Sequence, residues 1–325
     1  MTGLSDSFQR PINYLRISVT DRCNLRCIYC MPAEGISRLS HNEVLHYEEI
    51  LAVAQAAASL GISKLRLTGG EPLARAELIS LVQMLSRIEG IDDIALTTNG
   101  VLLREYALPL KKAGLKRVNV SLDTLKRERF KRNARRDRLG DVIDGIAAAE
   151  EAGLEPVKIN MVVIRGINDD EVLDFARHTI EDGWHVRFIE LMPFTSGESL
   201  QFVPTKEVKE RLSSLGILEP IPSSQGDGPA KYYRFPGAKG TVGFISPLSE
   251  HFCFNCNRLR LTVDGKLRPC LLSDKEVDLK TPLRSGASLE ELKVLIQQAV
   301  AAKPERHYLL EGMLPTVRSM CQVGG

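Results

Sequence analysis

The first two thirds of the chain alternate two rhythms of hydrophobic and polar positions. Short runs rich in Val, Ile and Leu at Tyr14–Val19, Lys64–Thr68, Asp93–Thr98, Arg117–Leu122, Pro156–Val163 and His185–Leu191 predict strands. Between them, apolar residues recur at three- and four-residue intervals over Tyr47–Leu60, Arg75–Glu89, Leu103–Ala113, Asp141–Ala152 and Asp170–Asp182, the period of a helix with one buried face. Gly61, Gly114, Gly153 and Gly183 each follow one of these helices, as C-terminal caps do. Six such units are too few to close an eight-stranded barrel. The pattern therefore predicts an α/β fold, a partial, open (β/α)6 TIM-type barrel with its chemistry at the strand ends. From about Phe202 the rhythm changes to a short helix, a Pro/Gly/Ser loop from Glu219 to Ala230, and paired strands near Thr241–Ile245 and Leu259–Pro269. We expect a barrel over residues 1–200 and a hairpin-containing C-terminal part over 201–325 that closes the barrel opening.

The strands carry an anomaly. Arg16, Arg66 and Lys158 sit inside or at the start of segments otherwise made of Leu, Ile and Val, where a cation must be paired or must face a polar cavity. Three cations aimed into one cavity call for a polyanion, phosphate being the common case. The alternative is that each pairs with a buried carboxylate such as Glu190 or Asp123. Hydroxyls at Thr97, Thr98 and Ser121 close predicted strands, where they either point into the barrel mouth or cap the next helices. The formal net charge of +2 does not point to nucleic acid, and the basic run Lys126 to Arg136 reads as a solvated helix face and loop. No apolar run approaches the roughly 20 residues of a membrane span, and the polar start from Met1 to Arg10 lacks the apolar core of a signal peptide. A cytoplasmic protein without membrane contact is expected.

Of the seven cysteines, six fall into two triads, Cys23/Cys27/Cys30 and Cys253/Cys256/Cys270, and Cys321 reads as a free thiol. Odd-numbered groups argue against disulfides and for metal in a reducing compartment. The first triad, spaced Cys-x3-Cys-x2-Cys, directly follows the first strand and lets three thiolates reach three irons of a 4Fe-4S cluster, leaving one iron open. A zinc site completed by His41 or His46 is the alternative. The second triad spans a Cys-x2-Cys turn and an Asp264-Gly265 hairpin, giving another three-thiolate site, or a zinc site with His251. Arg258 and Arg260 alternate just beyond it, so both face one side and bring two more cations. Following the first triad by one β/α unit, Thr68-Gly69-Gly70-Glu71-Pro72 offers backbone that a ligand can approach without a Cβ in the way.

The first triad, the Gly-Gly-Glu-Pro turn and the β/α rhythm resemble the radical S-adenosylmethionine superfamily. That resemblance implies a cluster whose open iron chelates S-adenosylmethionine, contacted by Tyr29, Gly70, Ser121 and Met192, with Glu71 in support. Phe244-Ile245-Ser246-Pro247, Phe252 to Thr262, Asp264 to Leu271, Val157-Lys158-Ile159-Asn160 and the terminal Gly324-Gly325 narrow it to the GTP 3′,8-cyclase family of molybdenum cofactor biosynthesis. The likeness runs from about Tyr14 to the C-terminus and departs from the family pattern at Leu191 to Phe194 and Cys321 to Val323. It implies two 4Fe-4S clusters, and GTP contacts from Arg16, Arg66, Thr97, Lys158, Arg258, Arg260 and the backbone of Leu259. It further implies a Gly324-Gly325 tail that reaches the catalytic cavity, an electron donor, cyclic pyranopterin monophosphate synthase as the next enzyme, and a homodimer. The rivals are a radical peptide-modifying enzyme with an auxiliary cluster, which calls for a peptide-binding module and more cysteines, and a two-cluster electron carrier or zinc-bound interaction protein. A carrier has no use for five cations around an open iron.

Overall fold

The strands have two unlike faces because successive side chains point to opposite sides. On β1 (Tyr14–Ser18) Leu15 and Ile17 lie on one face with Tyr14 and Arg16 on the other; on β2 (Lys64–Thr68) Leu65 and Leu67 oppose Lys64 and Arg66. The same division runs through β3 (Asp93–Thr98), β4 (Arg117–Ser121), β5 (Lys158–Val163) and β6 (His185–Glu190). Leu15, Ile17, Leu65, Leu67, Val118, Val120, Ile159 and Val186 are buried in a continuous apolar core with the helices. The computed structural model describes residues 3–193, 200–222, 228–311, 315 and 318–324.

Helices α1 (Tyr47–Ser59), α2 (Leu78–Leu85), α3 (Leu103–Lys112), α4 (Arg127–Ala134), α5 (Leu139–Glu151) and α6 (Val172–Glu181) alternate with these strands, and α7 (Thr205–Leu212) follows β6. Most ends fall within two or three residues of the periodicity. The second helix is shorter than its pattern, because Pro72–Ala74 forms a separate turn and Glu77 sits in the left-handed region at φ +58°, which blocks extension backwards. The basic run forms α4 and its flanks. Arg127 pairs with Asp137 at 2.8 Å and Lys126 with Asp170 at 3.0 Å in solvent, where such contacts add little to stability.

The C-terminal part carries the expected hairpins and also lengthens the barrel sheet. Its strands are β7 (Glu219–Ile221), β8 (Lys231–Arg234), β9 (Thr241–Ile245), β10 (Arg258–Leu261), β11 (Lys266–Arg268) and β12 (Val277–Asp278), followed by α8 (Lys280–Arg284) and α9 (Leu289–Ala301). The two strands foreseen there do not pair with each other. Instead β9 adds in parallel to β6 and β10 adds in parallel to β1. The described residues form one sheet in the order β12-β11-β10-β1-β2-β3-β4-β5-β6-β9-β8-β7, in which the parallel run β10 to β9 grows to eight strands without closing. The hairpins flank it, β10 with β11 at one edge and β8 with β9 at the other. The second triad, at the foot of β10 and beyond β11, is thereby brought beside β1. Among the described residues no helix is long and apolar enough to cross a membrane.

Candidate active site

Strand register sets the cations side by side. Arg16 pairs across to Arg260 on β10 and to Arg66 on β2, and Arg66 lies level with Ala95, which faces Arg117 on β4. One step along, Tyr14 is level with Arg258 and Lys64. Lys158 of β5 and Arg187 of β6 continue the lining. Burial, and then the Arg260 charge, hold Arg16 well below its ordinary range, while burial followed by Arg258 pulls Arg260 down to about 9. Lys158 is pulled down to about 7 by burial, then by Arg187, Arg117 and Arg66. The carboxylates proposed as internal partners are spent elsewhere. Glu190 accepts from the backbone of Thr205, Leu248 and Ser249, and Asp123 from Tyr29 and Val162. Among the described residues the Nε of Arg187, the Nε of Arg117 and the Oδ1 of Asn160 are buried without a hydrogen-bond partner, atoms that a polar ligand would satisfy.

The first cysteine loop is held by contacts that need no metal. Its backbone is gripped by the end of α4, with Arg26 N donating to Ala134 O and Ile28 N to Asn133 O, both at 3.0 Å. Arg135, left-handed at φ +55°, donates to the carbonyls of Arg26 and Met31. From the other side the Gly-Gly turn presses in. A Cβ on Gly69 would stand 2.6 Å from Thr20 O, and one on Gly70 2.4 Å from Arg22 O, so only glycine permits this crossing. Gly70 N bonds Thr20 O and Glu71 N bonds Arg22 O. The glycines thus seat the cysteine loop as well as opening backbone to a ligand. Glu71, fully buried and pushed up to about 7 by that burial, accepts from Thr98, Leu73 and Asn99 N. Asn99 in turn donates to Asn24 at 2.6 Å and to Cys23 Sγ at 3.8 Å. Tyr29 is pinned to the end of β4 through its hydroxyl, which donates to Asp123 at 2.8 Å.

The second triad sits in a different electrostatic setting. Cys253 and Cys256 bracket a single turn closed by Cys256 N to Cys253 O at 3.1 Å, and Cys270 follows β11 through Pro269. Arg10 reaches from the N-terminus to donate to Cys253 O at 2.7 Å. Lys303, 3% exposed, donates to Arg258 O at 2.8 Å, Pro269 O at 2.7 Å and Cys256 Sγ at 3.5 Å, tying the triad's strands together. Burial opposes ionisation of Cys256, but the Arg258 and Lys303 charges prevail and pull it down to about 6. In the first triad burial leads at Cys23 and Cys27 and pushes both thiols up. A buried ammonium whose partners are carbonyls and one sulfur fits a thiolate bound to a metal cluster. Among the described residues no three His, Cys, Asp or Glu side chains converge as one ion requires. His41 and His46 stack on each other at 5.1 Å, and His251 lies against Phe254 and His307.

One cavity gathers these parts. Its wall carries both triads together with Tyr29, Gly70, Thr97, Ser121 and Met192, and with Arg16, Arg66, Lys158, Arg258 and Arg260. Leu259 is buried on the opposite face of β10, so only its backbone lies between the two arginines. The tail arrives at the same place. Gly324 O accepts from Arg16 Nη2 at 3.1 Å, and a Cβ on Gly324 would stand 2.5 Å from Thr68 Oγ1. Gly325 lies outside the described residues.

Residues 17–179 match the model of the Radical SAM superfamily, and residues 184–309 match that of Molybdenum Cofactor Synthesis C. A protein of Pelotomaculum thermopropionicum named GTP 3′,8-cyclase is 56% identical over 99% of this chain and 100% of its own length. One of the same name from Moorella thermoacetica is 52% identical over 99% of this chain and 100% of its own. The chain belongs to the GTP 3′,8-cyclase family. Among solved structures, Streptococcus suis SuiB bound to S-adenosylmethionine superposes with a TM-score of 0.61 at 14% identity, over 87% of this chain and 68% of that one. At that identity the likeness speaks for the fold.

Several residues of the cyclase-family cavity escape a reading of motifs. Arg187, whose guanidinium donates to Asn119, stands between Val186 and Phe188 and carries the same signal as Arg16 and Arg66, a cation inside an apolar strand. Asn99 lies in a loop whose hydroxyls drew the attention. Lys303 and Arg10 give no signal in sequence, because their partners are backbone atoms far along the chain. Lys303→Met should return the Cys256 thiol towards its ordinary range. Alkylation of Cys256 by iodoacetamide in the cluster-free protein, mapped by mass spectrometry at neutral pH, should slow several-fold; an unchanged rate would remove Lys303 from the account.

Proposed function

We propose that this chain converts GTP to 3′,8-cyclo-7,8-dihydro-GTP as a radical S-adenosylmethionine cyclase, the first step of molybdopterin (molybdenum cofactor) biosynthesis. The observation that carries this reading is the single cavity walled by two cysteine triads and a register-aligned row of cations. Cys23, Cys27 and Cys30 would hold one 4Fe-4S cluster, and Cys253, Cys256 and Cys270 the other, each triad leaving one iron without a protein ligand. S-adenosylmethionine held at the first triad would supply radical chemistry for taking hydrogen from the ribose 3′ carbon of GTP, and after that carbon bonds carbon 8 of guanine one electron and one proton from the donor system would complete the dihydro product.

The chain's own residues position and enclose. Tyr29, Gly70, Ser121 and Met192 place S-adenosylmethionine beside the first triad. Arg16, Arg66, Thr97, Lys158, Arg258, Arg260 and the Leu259 backbone would receive GTP, the cations meeting the triphosphate, and a cluster held by the second triad would supply a site for the base. Arg187, Arg117 and Asn160 add unsatisfied polar atoms to that set. Met192 packs with Leu272, Leu309 and Val323, so tail docking and cofactor placement share one apolar contact that excludes water. We assign residues 1–200 to the barrel and 201–325 to the part that adds the second triad and the tail. A cytoplasmic location, an electron donor, cyclic pyranopterin monophosphate synthase as the enzyme that consumes the product, and a homodimer belong to the same reading.

Incubated anaerobically with reductant, S-adenosylmethionine and GTP, the protein should release 5′-deoxyadenosine in a GTP-dependent manner. Cleavage indifferent to GTP, with no nucleotide product, would favour the peptide-modifying alternative. Removing Gly324 and Gly325 should abolish cyclisation while iron content stays that of two clusters, and full activity in the truncated chain would contradict the role given to the tail. The Lys158 amine, held at about 7 by burial and then by its cationic neighbours, must be charged to meet a phosphate. Below that pH it is charged with or without ligand and adds no pH dependence. Above it, binding takes up a proton, so affinity should fall by up to about tenfold per pH unit until the bound-state value is passed. Calorimetry of GTP binding in buffers of different ionisation heat counts that proton, and Lys158→Met should remove it.

A further inference from the structure

The seventh cysteine is not an isolated thiol. Cys321 is 2% exposed, and its side chain is hydrogen-bonded to that of Cys30, the last cysteine of the first triad. Both line the central cavity. The tail around Cys321 is built to hold it there. Ser319 opens a short turn, Met320–Gln322, with its backbone N bonded to Gln322 Oε1 at 2.9 Å and its hydroxyl 3.2 Å from Cys321 Sγ. Beyond the turn, Val323 is buried with Leu272 and Leu309, and Gly324 O is held by Arg16. On the other side Cys30 is fixed by its backbone N donating to Cys27 O at 3.0 Å. Two sulfurs from opposite ends of the chain are therefore kept in contact by anchors on both segments.

We propose that Cys30 and Cys321 form a reversible disulfide when the first triad stands without its cluster and meets a low-molecular-weight disulfide. Cys30, the more exposed of the two, attacks one sulfur of that reagent, forming a mixed disulfide and releasing one small thiol. The buried Cys321 sulfur then attacks Cys30, forming the internal bond and releasing the second small thiol, so two protein thiols are oxidised and one reagent disulfide is reduced. The bond ties the tail into the cavity and keeps Cys30 from the irreversible sulfinic and sulfonic acids until a thiol reductant restores it. One sulfur cannot bind iron and share a disulfide, so cluster loading and the bond exclude each other. That second consequence rests on the reading of Cys30 as a cluster ligand.

The test uses the full-length chain, freed of clusters under reducing conditions, treated with oxidised glutathione, alkylated and digested with trypsin. Cleavage after Arg26, Arg38 and Arg318 leaves Cys30 in peptide 27–38 and Cys321 in peptide 319–325. The two peptides should appear joined, with fragmentation placing the bond at Cys30, and the joined species should disappear on dithiothreitol treatment and from the reconstituted, cluster-loaded protein. A Cys27–Cys30 bond with Cys321 alkylated would overturn the proposal without recourse to any variant. In the joined protein, iron uptake at the first triad should be lost and then regained on reduction. Normal uptake by a chain that carries the bond would leave the disulfide standing and overturn the assignment of Cys30 to the cluster.

Discussion

The constraint on which the rest of this molecule depends is a row of positive charge built into the inner face of a sheet. Parallel strands run roughly 4.8 Å apart, and the register β10-β1-β2 puts Arg260, Arg16 and Arg66 level with one another. At an effective dielectric of about 20, neighbouring like charges at roughly 5–10 Å repel by about 2–3 kcal/mol. A fold that accepted such repulsion without return would lose to any variant with Leu in these positions. The outer faces of the same strands show what the unconstrained choice looks like, Leu15, Leu65 and Leu259, all buried. The charges make sense as half of a binding site whose other half is a polyanion, and a triphosphate is the polyanion that also brings a ribose and a base.

The two triads meet that charge differently, and the difference suits different tasks. The first lies where burial disfavours thiolates, on a loop whose shape is set by α4, the Gly-Gly crossing and the Glu71–Asn99 chain. Its geometry is thus braced by the chain's own contacts, as a site that must present a cofactor in one orientation requires. The second lies among cations that lower Cys256, so its thiolate is already favoured on the wall that also carries Arg258 and Arg260. The parallel addition of β10 to β1 makes this wall continuous. Without it, Arg258, Arg260 and the second triad would hang on a separate part with no fixed distance to Arg16.

Much of this was legible from residues. Period-two alternation located the barrel strands, and cations breaking that alternation at Arg16, Arg66 and Lys158 located the inner face. Arg187 carries the same signal, although no motif surrounds it. The edges of the sheet were not legible. A strand such as Thr241–Ile245 records in its own residues that both faces are buried, and nothing in it names β6 as its partner. Lys303 was beyond reach for a related reason. It follows a helix, where a lysine ordinarily caps carbonyls in solvent, and only the folded chain reveals that the carbonyls are those of Arg258 and Pro269.

The tail shows how a feature without local structure acquires meaning from its surroundings. Gly324 offers no side chain and sits at φ +75°, a conformation open to glycine, in a gap bounded by Thr68 and Ser18 at the ends of β2 and β1. The gap lies at the row of arginines, and Arg16 spends one nitrogen on the tail's carbonyl. A residue with a Cβ would collide with Thr68 and lift the segment, and with it Val323 from the apolar cluster that Met192 packs against and Cys321 from its contact with Cys30. The same few residues therefore couple the strand cations, Met192 and the first cysteine triad. A chain end is the part of a protein with the least to hold it in place. Here it is held by three separate parts of the site at once, so each of those parts is sensitive to whether the tail is seated.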